Sequence, residues 1–157
     1  MNGVSRITVT EDISLVTMRN SNSNGSIIGE IFQEFSNEDI NIDMISQTAP
    51  QGSTQDVSFT THSSELLKVL QVMSRIREKY SQLKLMVTTG NCKIQLYGEE
   101  MREMSGVAAK VMTTLLSKGI EIIMITTSEI DISLIVSPAN QQQAVAELEC
   151  AFSVTAE

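Results

Sequence analysis

The chain of 157 residues is poor in the side chains on which many catalytic and disulfide-rich proteins depend. It has no tryptophan, one histidine and two cysteines, Cys92 and Cys150. The histidine, His62, has no serine, cysteine or acid at the spacing of a catalytic triad, so a surface or helix-capping role is expected. The two cysteines lie far apart in apolar surroundings and match neither a metal motif nor a redox motif. They predict reduced thiols in a cytoplasmic protein.

Concentrated positive charge is also missing. Nineteen acidic residues outnumber eleven basic ones, which gives a formal net charge of −8. The longest basic stretch, residues 75–79, is interrupted by Glu78. Nucleic acids and anionic membranes bind clustered Lys and Arg, so neither partner is expected. No apolar run approaches the roughly 20 residues of a membrane-spanning helix, and the first residues lack the basic and apolar segments of a signal peptide.

Two pairs of strand patterns dominate what the sequence does contain. Residues 120–127 are almost continuously apolar, and residues 130–136 alternate apolar and polar side chains after a short polar turn. A similar pair occupies residues 40–47 and 56–60, with a longer loop between its members. Such runs and alternations are typical of buried and half-buried strands. The repetition predicts two copies of one structural unit.

The same elements surround each strand pair. An apolar stripe at helical spacing precedes both pairs, beginning at Ile27 in the first copy and at Val107, 80 residues later, in the second. A second helix follows each pair, and residues 139–150 form the later one, after Ser137 and Pro138. The buried face of the earlier one is expected to contain Leu66, Leu67, Leu70, Met73, Ile76 and Tyr80. The remaining patterns predict strands at residues 4–10, 13–18, 83–89 and 93–97 and a short closing strand at 152–154.

Each copy therefore has the order strand, helix, strand, strand, helix, strand. This order is typical of ferredoxin-like folds, in which two helices cover one face of an antiparallel sheet. We predict an α+β protein with two ferredoxin-like βαββαβ units, one at residues 1–82 and one at 83–157. The terminal strand is available to complete the sheet of the first unit. Exposed strand edges favour association into a dimer.

Three strings resemble the tandem ACT domains at the C-terminal end of aspartokinase (aspartate kinase). They are Asn-Ile-Asp-Met-Ile-Ser-Gln at 41–47, Ser-Gly-Val-Ala-Ala-Lys-Val-Met at 105–112 and Ile-Thr-Thr-Ser-Glu-Ile-Asp-Ile-Ser at 125–133. The resemblance covers nearly the whole chain. It implies a regulatory module that dimerises through ACT units and binds lysine, threonine or both, so that phosphorylation of aspartate is inhibited.

The resemblance also implies what this chain lacks. The kinase domain of the family, which uses ATP and magnesium, has no counterpart in the sequence, so no catalytic residue, cofactor or metal site is expected here. The chain then corresponds to a fragment or to a separately translated regulatory subunit. Its expected partner is an aspartokinase catalytic domain or subunit.

Effector binding by such a module has a simple chemistry. A free amino acid carries a carboxylate, which suits the N–H groups of a helix N-terminus, and an ammonium group, which suits oxygens at a strand start. Each copy places a glycine-containing loop and a helix start near such a strand. The matching positions in the first copy are Asn24, Gly25, Ser26, Ile27, Ile28, Asn41, Ile42, Asp43, Gln47 and Thr48. Those of the second possible site are Met104, Ser105, Gly106, Val107, Ala108, Glu121, Ile122, Thr127, Ser128 and Glu129.

The two predicted sites differ in chemistry. Ile123 occupies the position that Asp43 has in the first copy. Asp43 is the expected partner of a lysine side-chain ammonium, with a solvated strand residue as the alternative, and Gln47 is expected to bond the ligand or the neighbouring module. Asp56 and Asp131 begin matching strands in separate copies, so they are expected to stabilise strand ends rather than to form a catalytic pair.

Two other functions remain open. A ligand-independent dimerisation module with degenerate ACT pockets is favoured by Ile123 and by the absence of the family's Pro-Gly from the loop before the first helix. An acylphosphatase-like hydrolase would need an arginine in an anion-binding loop beside an orienting amide. Arg19 followed by Asn20 is the nearest approach to that arrangement.

Overall fold

The computed structural model describes residues 2–20 and 26–157. Its strands are β1 (Arg6–Asn20), β2 (Ile45–Gln47), β3 (Gln55–His62), β4 (Lys84–Tyr97), β5 (Met124–Thr127) and β6 (Asp131–Val136). Its helices are α1 (Ser26–Asn37), α2 (Leu66–Lys79), α3 (Val107–Leu116) and α4 (Gln141–Phe152), and short 3₁₀ turns lie at Ser63–Glu65, Glu99–Glu103 and Pro138–Asn140. The predicted mixed class with antiparallel strands is confirmed. No helix in the described ranges has the length and apolar character needed to cross a membrane.

The described residues form two compact units. Residues 13–89 are the central unit, and residues 2–12 with 90–157 are the terminal unit. The central unit follows the predicted order of strand, helix, strand, strand, helix, strand. Its strands lie in the order β2, β3, β1, β4. Alternate residues of β1 and β3 pack against α1 and α2 in one apolar core, which includes Val16, Met18, Val57, Phe59, Ile31, Phe35, Val72 and Met73.

The terminal unit has the strand order β1, β4, β6, β5. Its core joins alternate strand residues to α3 and α4 and includes Ile7, Ile94, Leu96, Leu134, Val111, Leu115, Leu148 and Phe152. The closing strand predicted at 152–154 is wrong, because α4 continues to Phe152. The chain pairs two residues further on, where Ala156 forms a parallel bridge with Ile7. Ile7 lies in the range predicted for the first unit, and in the structure it groups with the terminal unit.

The two units differ from the predicted division at residue 82. Residues 2–12 group with 90–157, since the Ser5 N–H donates to the Tyr97 carbonyl at 2.8 Å. The strands predicted separately at 4–10 and 13–18, and at 83–89 and 93–97, are continuous as β1 and β4. Asp12 and Gly90, which lie in the gaps between these predicted strands, have left-handed backbones with φ of 56° and 71°. Such residues bend a strand without ending it.

The strands after α1 and α3 begin later than predicted. Residues 40–43 and 120–123 belong to no strand, and β2 and β5 begin at Ile45 and Met124. The segment before each strand still makes a backbone hydrogen bond to the neighbouring strand near its end. The Asp43 N–H donates to the Thr60 carbonyl at 3.0 Å, and the Ile123 N–H donates to the Ile135 carbonyl at 2.9 Å. These bonds do not extend through the segments as the repeating ladder that defines a strand.

The buried face of α2 is rotated relative to the prediction. Met73 and Ile76 are buried as expected, together with Val69 and Val72. Leu67, by contrast, is 69% exposed and Leu70 is 37% exposed. The segment contains two overlapping apolar stripes at helical spacing. Only packing against the strands decides which stripe is buried.

His62 has the capping role that the sequence predicted. Its Nδ1 accepts a hydrogen bond from the Ser64 N–H at 3.2 Å at the start of the 3₁₀ turn before α2. The same nitrogen lies 2.9 Å from the Ser64 hydroxyl. An imidazole nitrogen thus satisfies a backbone donor that has no partner within the turn.

Candidate functional site

A surface cavity of about 350 Å³ opens in the terminal unit where α3 begins beside the turn between β5 and β6. Its apolar side chains are those of Met101, Met104, Val107, Ala108 and Ile132, its polar side chains are those of Arg102, Thr127, Ser128 and Glu129, and Gly106 completes the lining. The size falls within the range of small-molecule sites, roughly 300–1,000 Å³. An apolar wall with a few polar groups is also typical of such sites.

Gly106 positions the start of α3 at the cavity wall. Its backbone is left-handed, with φ of 90°, a conformation that a residue with a Cβ rarely adopts. Its carbonyl accepts the Lys110 N–H at 2.9 Å and so begins the helix. Within the described part of the chain, no side chain caps this end. The first N–H groups of α3 therefore have no helical partner, and they favour an anion at this wall.

Ser128 and Asp131 hold the turn on the other side of the cavity. The Ser128 hydroxyl donates to the Asp131 carboxylate and accepts the Asp131 N–H at 3.1 Å. The other carboxylate oxygen accepts a hydrogen bond from the Gln95 side chain at 2.8 Å. Burial by itself raises the pKa of Asp131, but the hydrogen bonds from Ser128 and Gln95 outweigh it and hold the pKa below its ordinary value. Asp131 thus stabilises a strand start, as the sequence predicted.

The substitution Asp131→Asn is expected to flatten the dependence of stability on acid pH. The folded-state pKa of Asp131 lies below that of the unfolded chain, which is about 3.9. Ionised Asp131 therefore stabilises the fold above that value, and the contribution disappears as the pH falls through the folded-state pKa. Urea denaturation between about pH 5 and about pH 2 should show a steeper loss for the wild type than for the variant. The exposed Glu103, changed to Gln, is the control, and equal slopes for the three proteins would contradict the prediction.

Arg102 and Glu129 form a long ion pair at the cavity. Arg102 Nη1 lies 3.9 Å from Glu129 Oε2, and Arg102 Nε lies 3.7 Å from Glu99 Oε2. Both distances exceed those of a hydrogen bond, roughly 2.7–3.2 Å. The side chains of Arg102 and Glu129 are 53% and 80% exposed, and exposed pairs of this kind contribute little to stability. The cavity therefore presents one basic and one acidic group that a ligand can bind.

The structure brings together most of the second predicted site. Seven of its residues line the cavity: Met104, Gly106, Val107, Ala108, Thr127, Ser128 and Glu129. Ser105, Glu121 and Ile122 do not line it. Met101, Arg102 and Ile132 line it but were absent from the prediction. Ile132 had a usable signal, because the alternation of β6 places it on the face toward α3, whereas the loop with Met101 and Arg102 has no periodic pattern.

The first predicted site is described only in part. Asn24 and Gly25 lie outside the described residues, and Ser26 begins α1. Ile27 and Ile28 are buried in the core of the central unit. Their side chains therefore contact the core there.

The strand side of the first site lies between α1 and β3. The Asn41 carbonyl accepts the Thr61 hydroxyl at 2.9 Å, and the Thr48 hydroxyl accepts the Asp56 N–H at 3.0 Å. Ile42 is partly buried against the core, while Asp43 and Gln47 are exposed. Contact of Asp43 and Gln47 with an effector stays a prediction.

Arg19 has a structural partner. Its Nε and Nη2 donate to the two carboxylate oxygens of Asp56 at 2.8 and 2.9 Å. This pairing holds the pKa of the Asp56 carboxyl below its ordinary value. A bidentate pair occupies the guanidinium, and the neighbouring Asn20 is buried. The arrangement that the hydrolase alternative requires is therefore not formed by Arg19 and Asn20.

Comparison with known proteins identifies the region that carries the cavity. Residues 94–152, which include every cavity residue, match the family model of the ACT domain. Over 153 residues the chain is 29% identical to aspartate kinase Ask_LysC of Stutzerimonas stutzeri, covering 98% of this chain and 37% of that protein. Over 130 residues it is 34% identical to the aspartokinase of Geobacillus stearothermophilus, covering 83% of this chain and 31% of that protein. The chain is therefore similar to the aspartokinase family, with a match to the ACT domain at residues 94–152.

A solved structure is similar in fold to nearly the whole chain. The crystal structure of aspartokinase alpha and beta subunits aligns with a TM-score of 0.87 and 28% identity, covering 96% of this chain and 99% of that chain. By contrast, the chain spans 37% of the length of the Stutzerimonas aspartate kinase. The similarity to aspartokinase that the sequence predicted is confirmed.

Proposed function

We propose that this chain is an amino-acid-binding regulatory module of an aspartokinase. Binding of lysine or threonine to it inhibits the phosphorylation of aspartate by a kinase domain or subunit in the cytoplasm, and the module acts as a homodimer through its ACT units. The relatives supply the association with aspartokinase. The observation that carries the proposal is the cavity, since it combines a free helix start with one cation and one anion.

Regulation of a separate kinase requires a difference in affinity. The ligand must bind one arrangement of the protein better than another, typically by about 1–3 kcal/mol. Three segments contribute to the cavity: the 3₁₀ turn Glu99–Glu103, the start of α3 and the β5–β6 turn. A ligand that bonds all three draws them together, so its binding favours arrangements in which they are close.

Lysine or threonine is expected to raise the melting temperature of the chain. A ligand at about 100 times its Kd adds about 2.7 kcal/mol to the stability of the folded state. For a chain of this length that corresponds to a rise of about 5–10 °C. Differential scanning calorimetry with millimolar lysine, threonine and glutamate measures the effect, with glutamate as the control amino acid. A melting temperature that neither lysine nor threonine changes would refute the proposal.

The second candidate is a ligand-independent dimerisation module with degenerate ACT pockets. Exposed apolar side chains on α3 favour it, because Met112 is 39% exposed and Leu116 is 54% exposed. Apolar groups in such positions often contact a partner. This candidate predicts a dimer in analytical ultracentrifugation together with no change in melting temperature on addition of any amino acid.

A further inference from the structure

Among the described residues that line the cavity, Arg102 is the only basic one, and it belongs to neither predicted site. We propose that Arg102 binds the α-carboxylate of the ligand and Glu129 its α-ammonium, so that the ligand bridges the long Arg102–Glu129 ion pair from the side of the cavity. The inference rests on the proposed function, because it names the ligand class of the same cavity. That class is a free α-amino acid with an uncharged side chain.

The separation of the pair suits a zwitterion. Arg102 Nη1 and Glu129 Oε2 are 3.9 Å apart, too far for a hydrogen bond and close enough for small groups to bridge. An α-amino acid carries its carboxylate and ammonium on one carbon atom. The planar guanidinium can bond the carboxylate with two parallel N–H groups, while Glu129 accepts from the ammonium. Each charge of the original pair thus gains a closer partner of opposite sign.

The contact between Arg102 and Glu99 also allows Arg102 to turn toward a ligand. Its Nε lies 3.7 Å from Glu99 Oε2, which is again longer than a hydrogen bond. Glu99 itself accepts the Tyr97 hydroxyl at 2.5 Å through its other oxygen. The Glu99 carboxylate is therefore held by Tyr97, and the guanidinium can rotate toward a ligand without breaking a short bond.

The rest of the lining selects the side chain of the ligand. Five apolar residues form most of the wall beyond the ion pair. Among the described lining residues, Glu129 is the only acid. Once Glu129 has bound the α-ammonium, no carboxylate in the lining is left for the side-chain ammonium of lysine. The lining thus offers the side-chain ammonium of lysine no charged partner, whereas the Thr127 hydroxyl offers a hydrogen bond to a ligand hydroxyl.

Calorimetric titration of threonine and threoninamide into the full chain tests the role of Arg102. Threoninamide keeps the ammonium and loses the carboxylate, so the wild type is expected to bind it roughly 10–100-fold more weakly than threonine. Arg102→Met should weaken threonine binding by a similar factor and reduce the difference between the two ligands to about threefold or less. Arg77→Met, a change at an exposed arginine on α2, should bind both ligands as the wild type does.

Methyl NMR of methionine-labelled protein locates the binding. The methyl signals of Met101 and Met104 should shift on addition of threonine, and those of Met18 and Met73 in the central core should not. Threonine binding by Arg102→Met at wild-type affinity, or an undiminished preference of that variant for threonine over threoninamide, would overturn the inference while the proposed function stands. A wild type that binds no amino acid would overturn both.

Discussion

Replacement of Phe59 by alanine is expected to lower the free energy of unfolding by about 3–5 kcal/mol. Phe59 is 0% exposed in the core of the central unit. Its ring centroid lies 5.2 Å from that of Phe35 and 5.7 Å from that of Phe32. The substitution removes these contacts and leaves a space that close-packed neighbours cannot refill. Urea denaturation followed by circular dichroism measures the loss.

Phe32→Ala is the matched control for this prediction. Phe32 belongs to the same aromatic cluster but is only partly buried against the core. Its truncation removes less apolar area from the interior, so a loss of about 1–2 kcal/mol is expected. Equal losses at Phe32 and Phe59 would show that burial depth does not determine the cost in this cluster.

The substitution Gly98→Ala is expected to destabilise the terminal unit by about 3 kcal/mol and to weaken ligand binding. A Cβ at Gly98 would overlap the carbonyl oxygen of Gly3 and lie 2.8 Å from the Gly3 carbonyl carbon and 3.1 Å from Val4 Cα. These are backbone atoms, which cannot move aside as the end of a side chain does. The Gly98 carbonyl also accepts the Met101 N–H at 3.1 Å, so displacement of Gly98 disturbs the turn that carries Met101 and Arg102.

The substitution Gly29→Ala in α1 is expected to stabilise the protein, in contrast to Gly98→Ala. Apart from its two chain neighbours and the nearby backbone of α1 itself, no atom of the described residues lies within 4 Å of a Cβ at Gly29. Alanine there restricts the unfolded chain and favours the helix, so a gain of about 0.5–1 kcal/mol is expected. Thermal unfolding by calorimetry compares the two variants. A Gly98→Ala protein as stable as the wild type would mean that the backbone around Gly3 yields more easily than close packing allows.

Much of the fold and of the candidate site could be predicted because it depends on residues that are close together in the sequence. The alternation at 130–136 and the helical stripes from Ile27 and Val107 are local properties, and they predicted the order of elements in the central unit. The comparison of the two copies predicted that a helix preceded by a glycine begins beside a turn between two strands. That pairing holds in the cavity, where Gly106 and Ser128 both line the wall.

Long-range pairing decided how the chain divides. Ser5 bonds to Tyr97 and Ile7 pairs with Ala156, contacts between residues far apart in sequence that no local pattern specifies. Gly90 lies between the strands predicted at 83–89 and 93–97, and glycine favours turns, yet its left-handed conformation also occurs within a bent strand. Only the neighbouring strands select between the two outcomes.

The sequence by itself therefore determined the element types, the repeated unit and the similarity to aspartokinase ACT domains. The tertiary structure decided which charged groups a ligand can reach. Arg19 and Arg102 are both half-exposed arginines, but Asp56 holds Arg19 at 2.8 Å while Arg102 stands 3.9 Å from Glu129 beside a cavity. The charge of a side chain follows from its covalent chemistry, whereas its availability depends on the partners that the fold places within hydrogen-bond distance.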